Sequence, residues 1–276
     1  ARVSAVVPLF ELGEFLPETL DALAKQTRPL DEVLVVDDAS RDEPTVKLLA
    51  KLERTGWPGL RVRVRRLEHN AGPAAARNAG VRACDAELVF AVDADDVPDR
   101  AIVERLCEAL ERNPESAFAT GMHARFHGTP GTLESGWTPI GLDAAQLLAW
   151  NTGGGGCGLV LRRSALDAVG GWDETVPGYE DWDLCCRLAL ASYPAELVPE
   201  FLLWRRLRDD GVFQRQDKPR HAMLRAELIR RHGELASTEH EPGDTARLLL
   251  AEMASAAERK PRSEQAKRGA RRSADR

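Results

Sequence analysis

One pattern of apolar and polar positions repeats four times along the first part of the chain. Short apolar runs cover residues 3–7, 32–36, 60–67 and 88–92, and segments with helical spacing follow at 15–26, 45–54, 74–83 and 102–110. The third run alternates apolar and charged positions, which is typical of a half-exposed edge strand. Strands and helices that alternate with short connections indicate βαβ units with right-handed crossovers. We therefore predict an α/β fold with a mostly parallel sheet flanked by helices.

Acidic residues follow two of these apolar runs. Asp37 and Asp38 end the second run, and Asp93, Asp95 and Asp96 end the fourth. Because parallel strands present their carboxyl ends at one edge of a sheet, both clusters are expected to face one ligand-binding cleft. Three carboxylates at one strand end repel one another, and a hard divalent cation relieves that repulsion. The alternative is a solvated acidic turn that caps the next helix.

The second half of the chain is less regular. Strands are predicted at 117–122, 159–161 and 201–204, and helices at 142–150, 164–169, 184–192, 219–231 and 245–257. Residues 153–158 hold five glycines in six positions, which suits close approach of the backbone to a ligand, a hinge or a flexible turn. No Gly-Lys-Ser/Thr follows, so this stretch is not a phosphate-binding P-loop.

Composition and charge narrow the class of protein. The 276 residues carry a formal net charge of −6, but residues 258–276 alone hold eight basic and three acidic residues. We expect this basic tail to be disordered, and either to lack a partner or to contact an anionic surface. The acidic remainder argues against a nucleic-acid-binding protein.

Cysteine spacing and hydropathy favour the cytoplasm. The five cysteines include an adjacent pair and no paired Cys-x-x-Cys spacing, which predicts reduced core thiols rather than disulfides or a zinc site. No apolar run is long enough for a transmembrane helix, and no signal peptide is recognisable at Ala1. We therefore expect a cytoplasmic protein, with any membrane contact peripheral and made by the basic tail.

Several short motifs, taken together and in order, resemble family 2 glycosyltransferases of the GT-A fold. The motifs are Val6-Val7-Pro8-Leu9-Phe10, Val35-Val36-Asp37-Asp38-Ala39-Ser40, Asn70-Ala71-Gly72-Pro73-Ala74-Ala75-Ala76-Arg77-Asn78-Ala79-Gly80, Asp93-Ala94-Asp95-Asp96, Gly170-Gly171-Trp172-Asp173-Glu174 and Tyr179-Glu180-Asp181-Trp182-Asp183-Leu184. The resemblance covers residues 3–208. It implies a nucleotide-sugar-binding half at 1–120 and an acceptor-binding, catalytic-base half at 121–210. C-terminal helices at 211–257 and the tail at 258–276 follow.

The resemblance implies an inverting sugar transfer. The donor would be a nucleotide sugar, with a UDP-sugar favoured and a GDP- or dTDP-sugar also open, and the cofactor would be Mn²⁺ or Mg²⁺. The acceptor would be a hydroxyl of a sugar, a lipid-linked molecule or another small molecule. A metal stabilises the charge that develops on a departing diphosphate, and an inverting transfer needs a base on the opposite face of the sugar.

The resemblance also implies roles for individual residues. Asp95 is the implied metal ligand, Asp93 a ribose or metal-side carboxylate, and Asp96 a further metal candidate. Asp181 is the implied general base, and Glu180 beside it would raise its pKa through like-charge repulsion. The residues implied to bind the nucleotide sugar are Pro8, Phe10, Asp37, Asp38, Arg77, Asp93 and Ala94, with Asp38 favoured for reading the base.

One motif departs from the family pattern. Where many relatives carry Tyr-x-Arg-x-His, this chain has Trp204-Arg205-Arg206-Leu207-Arg208. Arg206 or Arg208 could clamp the diphosphate instead of the histidine, or they could lie on the surface of a lid. If no residue replaces the histidine, metal dependence would be weaker than in the family. Trp182 and Gly155 are the candidates for acceptor contact, with an ordinary core position as the alternative for the tryptophan.

Two other classes of function stay open. One is a non-catalytic member of the same fold that binds nucleotide sugar or scaffolds a partner, although the presence of Asp95 and Asp181 speaks against it. The more remote class is a phosphotransfer protein, either a receiver-like domain or a phosphatase built on Asp93 and Asp95. A phosphatase would carry Thr where Val97 stands. Asp183 is expected to cap the helix that it opens.

Overall fold

The fold comes from a computed structural model that describes residues 1–131, 134–137, 157–176, 178–208, 223–224 and 226–232. The strands are β1 Val3–Leu9, β2 Glu32–Asp37, β3 Val62–Arg66, β4 Leu88–Ala91, β5 Val97–Pro98, β6 Phe118–Phe126, β7 Ser135–Trp137, β8 Leu159–Arg162 and β9 Ala195–Arg206. The helices are α1 Leu16–Ala24, α2 Glu43–Thr55, α3 Gly72–Ala83, α4 Ile102–Arg112, α5 Arg163–Ala168 and α6 Glu180–Leu190. A further helical segment covers residues 226–232.

Four parallel strands make up one half of the sheet, in the order β3-β2-β1-β4. Val6 in the central strand β1 lies opposite Leu34 on one side and Ala91 on the other. Strands β1, β2 and β4 are buried almost throughout, as expected when helices cover both faces of a parallel sheet. Strand β3 forms the edge and alternates half-buried valines with exposed arginines. The predicted α/β fold is therefore confirmed.

The other half of the sheet is mixed in direction. Strand β8 runs antiparallel to β4 and to β6, whereas β9 runs parallel to β6. The short strands β5 and β7 add antiparallel pairings to β9 and β6. One sheet thus runs through both predicted halves of the domain, so the two sets of site residues are tied to the same framework.

Helices cover the two faces of this sheet in separate layers. Apolar residues of α1, α2 and α4 pack in one cluster, which is formed by Leu16, Leu20, Leu49, Leu52, Ile102 and Leu106 among others. Apolar residues of α3, α5 and α6 pack in a second cluster, which includes Ala74, Val81, Ala165, Leu166, Leu184 and Leu188. The sheet lies between the two clusters, and this arrangement brings α3 and α6 to the same face.

Element boundaries differ from the prediction in three places. Strand β9 begins at Ala195 rather than at residue 201. Its first half was missed because two glutamates and a proline interrupt the apolar positions and no residue there is buried. A short strand, Ser135–Trp137, lies in a stretch for which no strand was predicted. The segment after the Asp cluster forms strand β5, which was not predicted and in which Val97 pairs with Trp204. Helix α4 begins at Ile102, the first residue of the predicted helical segment.

Several expectations fall outside the described residues: the helix at 142–150, Gly155 and the other glycines at 153–156, the helix at 245–257 and the basic tail. Within the described part, no helix is both long and apolar enough to span a membrane. All five cysteines are buried, and none of them forms a disulfide.

Candidate active site

The carboxyl ends of β1 and β2 carry the residues that were predicted to bind the nucleotide. Phe10, just past β1, is 42% exposed, and Pro8 before it is half-buried. The carboxylate of Asp38 accepts hydrogen bonds from the backbone N–H groups of Ala71 (2.7 Å) and Gly72 (2.8 Å), so it orients the loop that begins α3. Asp37 accepts a bond from the Ser40 N–H at 3.0 Å and closes its own turn.

The Asp93–Asp96 turn lies at the end of β4 and is held from behind by helix α1. The Thr19 hydroxyl lies 2.9 Å from the Ala94 carbonyl oxygen and 2.8 Å from that of Asp96. Asp96 is 2% exposed; its Oδ1 accepts the Arg206 N–H at 3.0 Å, and its Oδ2 is buried. Thr19 therefore stabilises the turn from the side of helix α1, and the Asp96 side chain is buried within the turn.

Two arginines neutralise the other carboxylates of the turn. Arg77 Nη2 lies 2.8 Å from Asp93 Oδ1, and Arg208 Nη1 lies 3.0 Å from Asp95 Oδ2. Burial and the charge of Asp93 raise the pKa of Asp95, and burial with the charge of Asp95 raises that of Asp96 further. The charge repulsion expected from the sequence is therefore present, and protein cations offset part of it.

Arg206 is held by structural contacts. Its Nε donates to the Asp95 carbonyl oxygen at 3.0 Å, and its other nitrogens reach Glu18 and the Gly128 carbonyl. The guanidinium also stacks between two phenylalanine rings, at 5.0 Å from the centre of Phe15 and 4.6 Å from that of Phe126. These contacts tie β9 to the Asp turn and leave Arg208 as the better placed of the two predicted clamp residues.

The residues around the turn fit a divalent cation. One ligand atom each of Asp93, Asp96 and Cys157 lies within 4.8 Å of the others. The buried Asp96 Oδ2 has no hydrogen-bond partner among the described residues, which leaves a lone pair inside the cluster. Carboxylate oxygens are the ligands that Mn²⁺ and Mg²⁺ prefer. Asp95 contributes a further carboxylate, although Arg208 shares it.

The second acidic cluster opens helix α6. Tyr179 precedes the helix in the left-handed region (φ 61°), and its side chain makes no capping hydrogen bond to the helix. Glu180, Asp181 and Asp183 fill its first turn, where the free N–H groups and the helix dipole favour negative charge. Asp183 does not act as the cap that was expected: its carboxylate turns to Arg187 (2.7 Å) and His232 (3.0 Å) instead.

Arg77 joins the two acidic clusters. Its side chain is 4% exposed, and Nη1 lies 2.8 Å from Glu180 Oε1 while Nη2 holds Asp93. Burial by itself would lower the pKa of Arg77, but the charges of Asp93 and Glu180 outweigh it and raise the pKa. Arg77 was predicted to touch the nucleotide; the structure shows it bridging β4 to α6.

Asp181 is the acidic residue of α6 whose side chain makes no ion pair among the described residues. Its Oδ1 accepts only the Trp182 N–H, at 2.7 Å, and the residue is half-buried. Burial and the charge of Glu180 raise the pKa of Asp181 to about 6, against the opposing charge of Arg77. A half-buried carboxylate with that pKa is suited to accept a proton near neutral pH.

The Gly170–Glu174 motif, between α5 and α6, is bound to helix α3. Asn78 on α3 donates to the Trp172 carbonyl (2.7 Å) and to Glu174 (2.9 Å), and it accepts the Trp172 N–H at 2.9 Å. Gly171 lies at φ 74°, and a Cβ there would come within 2.5 Å of Asn78 Oδ1. Only glycine suits this close approach, which fixes the chain just before α6.

The structure leaves two acceptor candidates without support. Trp182 is 1% exposed and packs with Cys186, Leu228 and Ile229, so its ring lies in the core and cannot stack on an acceptor there. Gly155 lies outside the described residues. Residues that the sequence did not single out are Thr19, Cys157, Arg205 and His232. Their positions depend on contacts between distant segments, for which the sequence carries no local signal.

Arg205 also belongs to the site. Cys157, Asp96, Asp93 and Asp181 all act to raise the pKa of its guanidinium, so this positive charge lies near both acidic clusters. Arg206, the next residue on β9, points to Phe15 and Glu18. Neighbouring residues of a strand face opposite sides of the sheet. A prediction that β9 extends to Arg206 would therefore have placed Arg205 and Arg206 on opposite faces.

This α/β protein has acidic turns after β2 and β4 at one edge of its sheet, with the half-buried carboxylate of Asp181 beside them. Such an arrangement suits the binding of a charged ligand. The chain belongs to glycosyl transferase family 2, whose model matches residues 4–170. The match ends before α6, so Glu180 and Asp181 lie beyond the matched residues. Membership in this family removes the phosphotransfer alternative.

Similar individual sequences are also named as glycosyltransferases. An uncharacterized glycosyltransferase of Bacillus subtilis, YwdF, is 27% identical over 201 residues, which are 72% of this chain and 71% of the relative. An uncharacterized glycosyltransferase of Haemophilus influenzae is 26% identical over 67% of this chain and 61% of its own length. The match to Streptococcus pneumoniae GlyG covers only 35% of that protein, so the chain spans only part of some relatives.

Solved structures show the same fold. Staphylococcus aureus TarS residues 1–349, in complex with UDP-GlcNAc, superposes with a TM-score of 0.71 at 19% identity, over 92% of this chain and 71% of that one. The mannosyltransferase PcManGT of Pyrobaculum calidifontis, in complex with GDP-Man and Mn²⁺, gives 0.65 at 21% identity, over 92% and 69%. The chain therefore has the GT-A fold.

Proposed function

We propose that this protein is an inverting glycosyltransferase that moves a sugar from a nucleoside-diphosphate donor to an acceptor hydroxyl, with Asp181 as the general base. The observation that carries the proposal is the arrangement around Arg77. This arginine neutralises Glu180 and Asp93 together. Asp181 therefore stands beside the Asp93–Asp96 turn as a carboxylate that makes no ion pair with any described residue. Its pKa of about 6 makes it ionised and ready to accept a proton at neutral pH.

The carboxyl edge of β1 and β2 supplies a nucleotide pocket in this proposal. The exposed ring of Phe10 and the neighbouring Pro8 offer an apolar wall for a base. Asp38 holds the loop before α3, and each of its oxygens keeps a second lone pair with which it can accept an N–H from the base. A UDP-sugar is the favoured donor. GDP- and dTDP-sugars fit the same chemistry, and the two structural neighbours carry UDP-GlcNAc and GDP-Man.

Asp93, Asp95 and Asp96 would hold a divalent metal, Mn²⁺ or Mg²⁺, with the Cys157 sulfur close by. When bound, such an ion supplies positive charge for the leaving diphosphate. Arg208 lies 3.0 Å from Asp95, so its guanidinium can bind diphosphate oxygens at the same place. Arg208 would thus take the position of the histidine that many relatives carry, and Arg206 would keep the turn in place.

Asp181 would take the proton of the acceptor hydroxyl as that oxygen attacks the anomeric carbon. The bond to the diphosphate oxygen breaks on the opposite face of the sugar, so the configuration inverts. Glu180 stays bound to Arg77 at 2.8 Å and raises the pKa of Asp181 by its charge. The acceptor class stays a proposal: a sugar, a lipid-linked molecule or another small molecule. A cytoplasmic location with peripheral membrane contact through residues 258–276 likewise rests on composition alone.

The proposal is tested by binding and turnover together. UDP, GDP and dTDP are screened by thermal shift with and without Mn²⁺, and the matching nucleotide sugar is then assayed for release of its diphosphate. We expect one diphosphate to bind at least tenfold more tightly with Mn²⁺, which is about 1.4 kcal/mol, and Asp95→Ala to remove that gain. Binding that ignores both Mn²⁺ and Asp95→Ala would overturn the metal site. Binding without any turnover would favour the non-catalytic alternative.

A further inference from the structure

The helical segment at residues 226–232 packs directly against the helix that carries Asp181. Leu228 and Ile229 are 3% and 7% exposed, and they form one apolar cluster with Trp182 and Cys186 of α6. The outer face of the segment is polar, where Glu227 and Arg230 form an exposed ion pair at 2.7 Å. The segment is therefore seated on α6 by a buried apolar face, although it lies far beyond α6 in the sequence.

A buried hydrogen bond closes this contact. His232 is 2% exposed and Asp183 is fully buried, and His232 Nε2 lies 3.0 Å from Asp183 Oδ1. Arg187 takes the other oxygen at 2.7 Å, and Arg231 reaches Asp173 at 2.6 Å. Burial by itself would raise the pKa of Asp183, but the hydrogen bond from His232 and the charge of Arg187 hold it below its usual range. Asp183 thus stays ionised.

His232 has one polar contact among the described residues. Its Nδ1 is buried without a hydrogen-bond partner there, so the bond to Asp183 is the only one that its ring makes in this part of the chain. A buried histidine with a single bond to a buried carboxylate fixes the position of that carboxylate.

The hydrogen bond between His232 and Asp183 affects Asp181, because both aspartates lie in the first turn of α6. Asp181 and Asp183 are two positions apart, which corresponds to about 200° around the axis of an α-helix. Their side chains therefore leave opposite sides of the first turn of α6. The side chain of the N-cap residue Tyr179 does not cap that turn. Its orientation therefore depends on Arg77, which holds Glu180 at 2.8 Å, and on His232, which holds Asp183 from the far side.

We propose that His232 is a positioning residue for the reaction: the segment at 226–232 braces the first turn of α6 from behind and so holds Asp181 at the acceptor hydroxyl. This inference rests on the proposed role of Asp181. It extends the functional unit to residue 232, well past the residues that the family model matches. His232 touches neither donor nor acceptor in this account and acts only through Asp183 and α6.

The test compares three variants of the full chain. His232→Leu keeps the bulk of the ring and removes the hydrogen bond, whereas His232→Gln keeps an N–H donor at similar reach. Leu228→Ala loosens the same contact through packing while leaving the polar pair in place. Glu227→Gln on the exposed face serves as the unchanged control. The probes are UDP-GlcNAc and GDP-mannose, each with Mn²⁺, with release of UDP or GDP as the readout.

We expect His232→Leu to lower kcat by at least tenfold, towards the roughly 100-fold that a misplacement of about 1 Å costs, with the KM for the donor unchanged. His232→Gln should recover most of kcat. Leu228→Ala should lower Tm at least as much as His232→Leu with a smaller loss of kcat. Hydrogen exchange should quicken in the first turn of α6, where the Asp183 N–H bonds to the Tyr179 carbonyl at 2.9 Å, in His232→Leu but not in His232→Gln.

Two results would overturn the inference. One is a kcat for His232→Leu that equals the wild-type value; the other is a kcat that follows Tm across all variants, with no recovery in His232→Gln. Failure of the proposed function looks different, because Asp181→Asn would then retain turnover. The exchange measurement needs no donor, so unchanged exchange in His232→Leu refutes the brace even if neither probe is turned over.

Discussion

The two acidic clusters of this site have similar spacing but very different surroundings. Asp93-x-Asp95-Asp96 ends a buried strand, whereas Glu180-Asp181-x-Asp183 opens a helix. In the strand-end cluster every carboxylate is engaged, by Arg77, by Arg208 or by the backbone of Arg206. In the helix cluster Glu180 and Asp183 have dedicated cations, and Asp181 has none among the described residues.

The difference separates two tasks that carboxylates perform. A cluster whose members are all engaged is suited to hold charge, such as a cation with its diphosphate. In the helix cluster, neighbouring side chains in the described part of the chain bind Glu180 and Asp183 but not Asp181. Asp181 is therefore left as a half-buried carboxylate that can accept a proton. Arg77 makes the division possible, because one buried guanidinium serves both clusters.

The largest expected effect comes from removing the unpaired carboxylate. Asp181→Asn keeps the shape of the side chain and the bond to the Trp182 N–H, but it cannot accept a proton. We expect kcat to fall by about 10²–10⁴-fold while nucleotide binding stays within error of the wild-type value. Steady-state kinetics and calorimetry on the same preparation measure both quantities. Near-full turnover would show that the two clusters do not divide the work in this way.

Breaking the shared arginine should affect both clusters at once. Arg77→Met removes the buried guanidinium that neutralises the partly buried carboxylates of Asp93 and Glu180, which costs about 3–5 kcal/mol of unfolding free energy. Urea unfolding measures this loss. Arg82→Met on the same helix is the control, since its ion pair with Glu174 is exposed and 4.0 Å long, and such pairs contribute about 0–1 kcal/mol. Equal losses in the two variants would contradict the bridging role of Arg77.

A smaller effect is expected behind the strand-end cluster. Thr19→Val removes the hydroxyl that bonds to the Ala94 and Asp96 carbonyls. Losing a buried hydrogen bond costs about 1–3 kcal/mol, and the loosened turn should weaken Mn²⁺-dependent nucleotide binding more than it changes kcat. Thermal unfolding and calorimetric titration of the diphosphate with Mn²⁺ measure the two terms. A variant with wild-type stability and metal response would show that Thr19 does not set the turn.

Much of the fold was predictable because it depends on local patterns. Apolar runs at 3–7 and 88–92 and the alternating run at 60–67 correspond to strands β1, β4 and β3. The first half of β9 was missed, since a partly exposed strand whose apolar positions are interrupted by two glutamates and a proline carries no such pattern.

The membership of the site was less predictable than its location. The acidic motifs marked both clusters, but their pairing depends on contacts across long sequence separations, such as Arg77 with Glu180 and Asp183 with His232. Arg205, Arg206 and Arg208 looked equivalent in the sequence. The alternation of β9 separates Arg206, which stacks between Phe15 and Phe126, from Arg205. Arg208 lies past the end of β9 and differs from Arg206 by its ion pair with Asp95. Trp182 beside the base looked like an acceptor contact and is a core residue.

The most direct test of the division between the clusters is the pH dependence of kcat/KM, because this ratio reports the pKa values of the free enzyme. Asp181 must be deprotonated to act as the base, and its raised pKa of about 6 places the loss of activity on the acid side of neutrality. We predict that log kcat/KM is level near neutral pH and falls with a slope of one below pH about 6, and that the residual activity of Asp181→Asn lacks this limb. A wild-type kcat/KM that stays level well below that pH, or the same limb in Asp181→Asn, would contradict the account.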